Sequence, residues 1–303
     1  MTAVSGRAVT TFSRESTRIV LDEACDRIGV SHDGAELLRL GENAIYHVPS
    51  APLVVRIARG PRYWDDATKE VAVAEWLKAA GIPAARVWPI DQPLDVGGHP
   101  VTFWRYIPGR RGGPGDVRVL GRLLKQVHEL PPPADFRLPT QDPLQRVRPR
   151  LETARVDEDE RSFLLKVFDE LLAAVSELEF PLPEGVNHGD AHVQNLMITG
   201  GRAELIDFEG FCWGHPEWDL AMTATEYVTA GFWTTEQYGQ FVDAYGFDVS
   251  TWSGFDVLRR AREISMTTWL MQNVDQDPEI RAEFEKRLTT IRAGRPTVPW
   301  HPF

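Results

Sequence analysis

Two adjacent glycines, Gly200-Gly201, separate two short apolar runs, Asn195–Ile198 and Ala203–Phe208, and this arrangement most narrows what the chain can become. Glycine tolerates the positive φ that tight hairpin turns demand, so the segment predicts a β-hairpin. Antiparallel pairing about the turn sets Asn195 roughly opposite Ile206 and Asp207. An amide oxygen and a carboxylate, far apart in sequence, then converge. Mg²⁺ is a hard cation that accepts such a pair, keeping several waters and drawing its other ligands from substrate phosphates. Asp190 stands five residues before Asn195, in the loop ahead of the hairpin. There it is placed to take a proton from a hydroxyl nucleophile. The pattern points to phosphoryl transfer, with Asp190 catalytic and Asn195 and Asp207 as metal ligands.

His188-Gly189-Asp190 with Asn195, then Ile206-Asp207-Phe208-Glu209, then Trp218-Asp219-Leu220-Ala221 are three ordered motifs at compatible spacing. With them the chain resembles the aminoglycoside phosphotransferase and choline kinase-like family, over most of its length and least at its two ends. The spacing is also that of the protein kinase catalytic loop and metal-binding Asp, with Gly189 in place of Arg and Glu209 in place of Gly. The resemblance implies an α+β, bilobal, protein-kinase-like fold. Residues 1–107 would form a small β-rich lobe that binds nucleotide, and residues 108–303 a larger, mainly helical lobe with the catalytic loop, the metal site and the acceptor-binding helices. ATP would lie in the cleft between them. Asp219 would support the catalytic loop, and His188 would pack beneath it.

Further residues follow from the same resemblance. The β-branched run Leu53–Ile57 reads as a strand and occupies the place of the strand whose basic residue contacts the α- and β-phosphates. Arg56 stands where many kinases have Lys, and its fork can hold phosphate in a bidentate manner. Glu70 opens a helix expected over Lys69–Ala80 and is the partner implied for Arg56, with Glu75 as competing candidate. Gly41–Tyr46, containing Asn43, falls between strand-like runs as a loop over nucleotide phosphates would. Val101–Ile107 runs into Pro108-Gly109 as a last strand into a hinge, whose backbone from Arg105 to Ile107 would bond adenine. A P-loop enzyme is excluded, since no Gly-rich sequence ends in Lys-Ser or Lys-Thr.

The strand signals, Leu37–Leu40, Ile45–Val48, Leu53–Ile57 and Val101–Ile107, lie in the first part of the chain. Helical spacing marks Thr11–Gly29, Val117–Leu130, Asp157–Leu178, Glu236–Tyr245 and Phe255–Asn273, with Pro139–Pro149 a polar connector. Leu120, Leu123, Leu124 and Val127 share one side of their helix. Cys25 and Cys212 are too few for a disulfide framework or a four-ligand zinc site and read as buried thiols. His188 and His192 have the spacing of a helical zinc pair, but Gly189 is a poor helix former and the Glu of zinc peptidases is absent. His128 reads as a core histidine. Trp104, Trp213, Trp218, Trp233 and Trp269 read either as pocket lining or as core of the helical lobe.

A net charge of −11 disfavours nucleic acid as a partner, because neutralising phosphates requires a basic surface. No run approaches the ~20 apolar residues of a membrane span, and the N-terminus lacks the apolar core of a signal segment, so a cytoplasmic protein with no membrane partner is expected. Between Asp219 and Glu279 ten acidic residues face three arginines. That stretch is either a solvated helical surface or an acidic wall that gathers a cationic acceptor, with Glu263 as candidate liner. The first reading of the acceptor is therefore an aminoglycoside or related cationic antibiotic. Choline, an amino alcohol or a sugar is the alternative, followed by a macrolide or peptide antibiotic. A non-catalytic kinase-like binding protein would have lost a catalytic residue, and none is missing.

Overall fold

The computed structural model describes residues 12–302. The start of the helix expected at Thr11 and the reading of the extreme N-terminus lie outside them. In chain order come α1 (Arg14–Arg27), β1 (Glu36–Leu40), β2 (Asn43–Val48), β3 (Leu53–Ala58), α2 (Trp64–Ala79), β4 (Leu94–Val96) and β5 (His99–Arg105). The five strands form one antiparallel sheet in the order β1-β2-β3-β5-β4. Period-two alternation decides its faces. Leu53, Val55 and Ile57 are fully buried and cluster with Ala44, Tyr46, Phe103 and, from α1, Leu21 and Cys25. Burying each such aliphatic side chain is worth about 1.5–3 kcal/mol, enough to fix the register. Arg56, between Val55 and Ile57, is thereby turned to the opposite face.

α2 begins at Trp64, not at Lys69 as its apolar spacing suggested. Its first turn carries Asp65 and Asp66, which suit the positive end of a helix, and Tyr63 before it makes no side-chain cap that would mark the start in sequence. Glu70 consequently sits in mid-helix and is 5% exposed. Asn43 is likewise not in a loop but opens β2. The last strand of the sheet is His99–Arg105, so Ile107 lies beyond it.

The remaining elements are β6 (Arg110–Arg111), α3 (Val117–His128), α4 (Val147–Thr153), α5 (Glu158–Ser176), β7 (Gly185–Asn187), β8 (Leu196–Thr199), β9 (Arg202–Leu205), β10 (Cys212–Gly214), α6 (Glu217–Thr225), α7 (Thr235–Tyr245), α8 (Phe255–Leu270) and α9 (Pro278–Ala293). α4 emerges from the expected connector because Pro149 falls in its first turn, where a missing N–H costs nothing. α6 and α9 were not anticipated. The buried stripe of α3 is as expected. Gly200 and Gly201 both have positive φ, 54° and 81°, and turn β8 into β9 as a two-residue hairpin.

The chain forms two compact units, one running to Arg110 and including Met197–Glu209, the other Arg111–Leu196 with Gly210 onward. The hairpin joins the sheet-bearing unit because β9 bonds the segment after α2: the Leu205 N–H donates to Pro83 O at 3.0 Å and the Ala85 N–H to Leu205 O at 2.8 Å. No helix of the described residues is long and apolar enough to cross a membrane.

Candidate active site

Within the sheet-bearing unit, Arg56 gathers acidic and amide side chains from three parts of the chain. Asn43, Ile45 and His47 project to the face of β2 opposite its buried side chains, and Ile45 pairs with Arg56 across the ladder. Asn43 is then the diagonal neighbour of Arg56. With its amide carbonyl turned to the guanidinium, it accepts from Nη2 at 2.7 Å and Nε at 3.2 Å. Glu70 accepts from Nη1. Glu75 is half exposed and pairs with Lys78, which settles the partner of Arg56 as Glu70. Glu209 accepts from Nη2 at 3.0 Å, and Asp207 Oδ1 lies 3.9 Å from Nη1.

Burial works against charge at Arg56, yet Glu70, Asp207 and Glu209 together hold its pKa above the ordinary value. Burial pushes the Glu70 carboxyl up to about 8; Arg56 works against this, and Asp207 and Glu209 add to it. Three acidic side chains thus compete for one guanidinium. Asp207 is the one non-glycine residue with positive φ, 65°, among the described residues. Asp tolerates this left-handed conformation better than most side chains, and such strain gathers at working sites. Phe208 anchors the turn, buried and 5.9 Å from the Trp104 ring. Trp104 therefore belongs to β5 and not to the helical part of the chain. Lys69, one residue before Glu70, donates Nζ to Glu209 O at 2.6 Å. Neither Lys69 nor Glu209 was singled out as a site residue, although Glu209 stood out as a departure from the kinase pattern.

Of the expected hinge, Arg105 and Tyr106 have their N–H groups engaged, donating to Arg86 O and Pro52 O at 2.7 Å each. This narrows the hinge expectation. The Arg105 backbone N–H is thus taken, whereas the Ile107 N–H has no partner among the described residues.

In the helical unit, β7 and β10 pair with Asn187 opposite Cys212, and the chain leaving β7 forms the loop that carries Asp190. Gly189 has φ +84°, and a Cβ there would stand 2.1 Å from Gly210 O, so the Arg of protein kinases cannot occupy this position. Asp219, fully buried in the first turn of α6, accepts from the His188 N–H at 2.6 Å and the Gly189 N–H at 2.8 Å. His128 Nε2 lies 3.1 Å from the same carboxylate, and its Nδ1 is 2.9 Å from the Tyr245 hydroxyl, the arrangement of a core histidine. Burial raises the Asp219 pKa, but the His128 hydrogen bond and the charges of His128, His188 and Arg262 together outweigh it, and the carboxyl is held below its usual range. Trp218 closes the clamp by donating Nε1 to Gly189 O at 3.2 Å. Arg262 lies 3.5 Å over the Trp218 ring and donates to Trp218 O at 2.7 Å.

Asp190 itself is half exposed at the tip of this loop. Asn195 donates Nδ2 to its backbone oxygen at 2.9 Å, and His192 Nε2 lies 3.6 Å from its carboxylate. Desolvation opposes the ionised form, but His192 first and then Arg262 outweigh it and hold the carboxyl well below the ordinary range. Arg262 was not anticipated. Glu263, the suggested pocket liner, is 1% exposed and spent on Arg259 and Thr229, so it lines no open pocket. Asp219 and Glu226 are also buried, which reduces the acidic surface that the sequence suggested. Trp218 and Trp233 are buried and Trp269 is exposed; both cysteines are buried free thiols. Among the described residues no group of three or more His, Cys, Asp or Glu is gathered to hold a metal.

Among solved structures, the fold matches the amicoumacin kinase hAmiN in complex with AMP-PNP, Ca²⁺ and Ami at TM-score 0.71 and 17% identity, over 95% of this chain and 98% of that one. A choline/ethanolamine kinase family protein from Mesorhizobium loti matches at 0.63 and 18%, over 92% and 94%. Spectinomycin phosphotransferase APH(9)-Ia, in complex with ADP and spectinomycin, matches at 0.63 and 15%, over 89% and 92%. No curated protein matches significantly. The model of the phosphotransferase enzyme family, APH, matches residues 37–263. That span covers the sheet from β1, the hairpin and the clamped loop, and with it the chain belongs to the phosphotransferase enzyme family as a small-molecule kinase.

Proposed function

We propose that this kinase uses ATP and moves the γ-phosphate to a hydroxyl of a small cationic molecule, an aminoglycoside or related antibiotic before others. The observation that carries the reading is the grouping of Arg56, Glu70 and Asp207 in one unit: a forked cation, the acid that orients it and a strained, part-exposed carboxylate. Arg56 holds the α- and β-phosphates, Glu70 and Asn43 orient its fork, and the Ile107 N–H donates to adenine. By the chemistry of their donors, Asn195 and Asp207 would hold Mg²⁺. Asp207 offers a carboxylate, and Asn195, with its amide nitrogen committed to Asp190, keeps a neutral carbonyl oxygen as ligand. The metal, when bound, neutralises the phosphate oxygens.

Asp190, ionised and carried on a clamped loop, orients the acceptor hydroxyl. As the acceptor oxygen bonds to the γ-phosphorus and the bond to the leaving ADP oxygen breaks, Asp190 takes the hydroxyl proton. The residues act mainly by alignment and by placing charge in advance, since phosphoryl transfer asks little covalent chemistry of the protein. A cationic acceptor is supported by the net charge of −11, which draws cations toward the protein. The names amicoumacin kinase and spectinomycin phosphotransferase support an antibiotic. The choline/ethanolamine kinase family protein supports the second reading, an amino alcohol, which is also cationic.

Calorimetric titration of ATP with and without Mg²⁺ tests the grouping. Asp207→Ala is expected to abolish the strengthening of ATP binding by Mg²⁺, and Asn195→Ala to weaken it less, because the ligand lost is neutral. A full metal effect in the Asp207 variant would place the metal on other residues.

A further inference from the structure

We propose that Glu209 is a resident competitor for the nucleotide phosphates on Arg56: its carboxylate fills a donor that a phosphate needs, and nucleotide entry displaces it. The inference rests on the reading of Arg56 as the phosphate-binding cation.

A guanidinium has five N–H donors in a fixed fork. Glu70 takes one on Nη1, Asn43 takes Nε and one on Nη2, and Glu209 takes the other on Nη2. A single N–H on Nη1 is left over, and Asp207 lies 3.9 Å from that nitrogen. A bidentate phosphate needs two neighbouring N–H groups, so one protein acceptor has to leave. Glu70 is locked in mid-helix and Asn43 in a strand. Glu209 is on a short turn, Phe208–Gly210, with its side chain 18% exposed.

The backbone of that turn is tied down separately, by Lys69 on Glu209 O. The carboxylate can therefore swing while the turn stays in place. Charge points the same way. A phosphate arriving beside Asp207 and Glu209 adds an anion next to two carboxylates that already share the guanidinium, and the departure of Glu209 relieves that repulsion.

The test is calorimetric binding of ADP and of ATP with a chelator present, so that metal plays no part. Glu209→Gln, close in shape, and Glu209→Ala are both expected to tighten nucleotide by roughly threefold to tenfold, the range of a partly buried ion pair released from competition. The same substitutions in the Arg56→Lys background, which keeps a charge against Glu70 but lacks Nη2, are expected to lose that gain. Unchanged or weaker binding in both Glu209 variants overturns the proposal. Equal tightening in the Arg56→Lys background also overturns it, because the effect is then general charge removal. If affinity depends on Arg56 and not on Glu209, this inference alone falls; if Arg56→Lys leaves affinity unmoved, the reading of Arg56 falls with it.

Discussion

At Gly189 a single missing Cβ decides what the loop that carries Asp190 can be. The residue combines φ +84° with contact against Gly210 O, so Gly189→Ala meets both backbone strain and a clash with main chain. Such a change costs of order 1–3 kcal/mol where the surroundings cannot give. The expected result is a lowered midpoint in urea unfolding together with reduced turnover, while nucleotide affinity, proposed to depend on Arg56, stays near wild type. An Ala variant as stable as wild type would contradict the loop geometry. Sequence made this residue visible only as a departure from the kinase pattern. Glu209 was visible in the same way, but its bond to Arg56 spans 153 positions, and no local periodicity reports a contact that long.

The element that matters most for the loop is α6. Its first turn supplies Asp219 and Trp218, and together they fix the backbone of His188 and Gly189 from both its N–H and C=O sides. Charge-assisted bonds of this kind are worth about 1.5–3 kcal/mol each. Asp219→Asn is therefore expected to destabilise the protein by about 2–4 kcal/mol at neutral pH, since it leaves buried donors under-satisfied. The pH dependence has a definite sign. The folded-state pKa of Asp219 lies below its unfolded value, so its contribution is present above the ordinary carboxylate range and is lost as pH falls through the folded value. Unfolding free energies measured at neutral pH and in acid should converge for wild type and variant; a constant gap would contradict the ion-paired state. The motif Trp218-Asp219-Leu220-Ala221 was legible as support for the loop, yet the helix that carries it was not. Its residues are buried on every side, so the amphipathic period that betrays α3 is missing.

At the scale of the whole molecule, the strand-rich first part and helical remainder were legible because alternation and helical spacing are strong where one face is buried, as in β3 and α3. The return of Met197–Glu209 to the sheet-bearing unit was not, because main-chain bonds between Leu205 and Pro83–Ala85 leave no side-chain signature. The acceptor was the least legible part. The proposed cationic acceptor rests on the net charge of −11; Glu263 and Glu226 are both buried and form no acidic wall. A cationic acceptor should bind more weakly as salt rises, since charges are screened beyond about 8 Å at physiological ionic strength. Matched neutral and cationic hydroxyl compounds, titrated at low and high salt, check this, and equal affinities with no salt dependence would favour a neutral acceptor. The central claim is tested most directly by ADP release over a panel of hydroxyl compounds with wild type and Asp190→Asn. Mg²⁺-dependent release stimulated by a cationic alcohol is expected, with a fall in turnover of about 10²–10⁴ in the variant and nucleotide binding kept. Release that no hydroxyl compound stimulates, or that Asp190→Asn leaves within a few-fold of wild type, would contradict it.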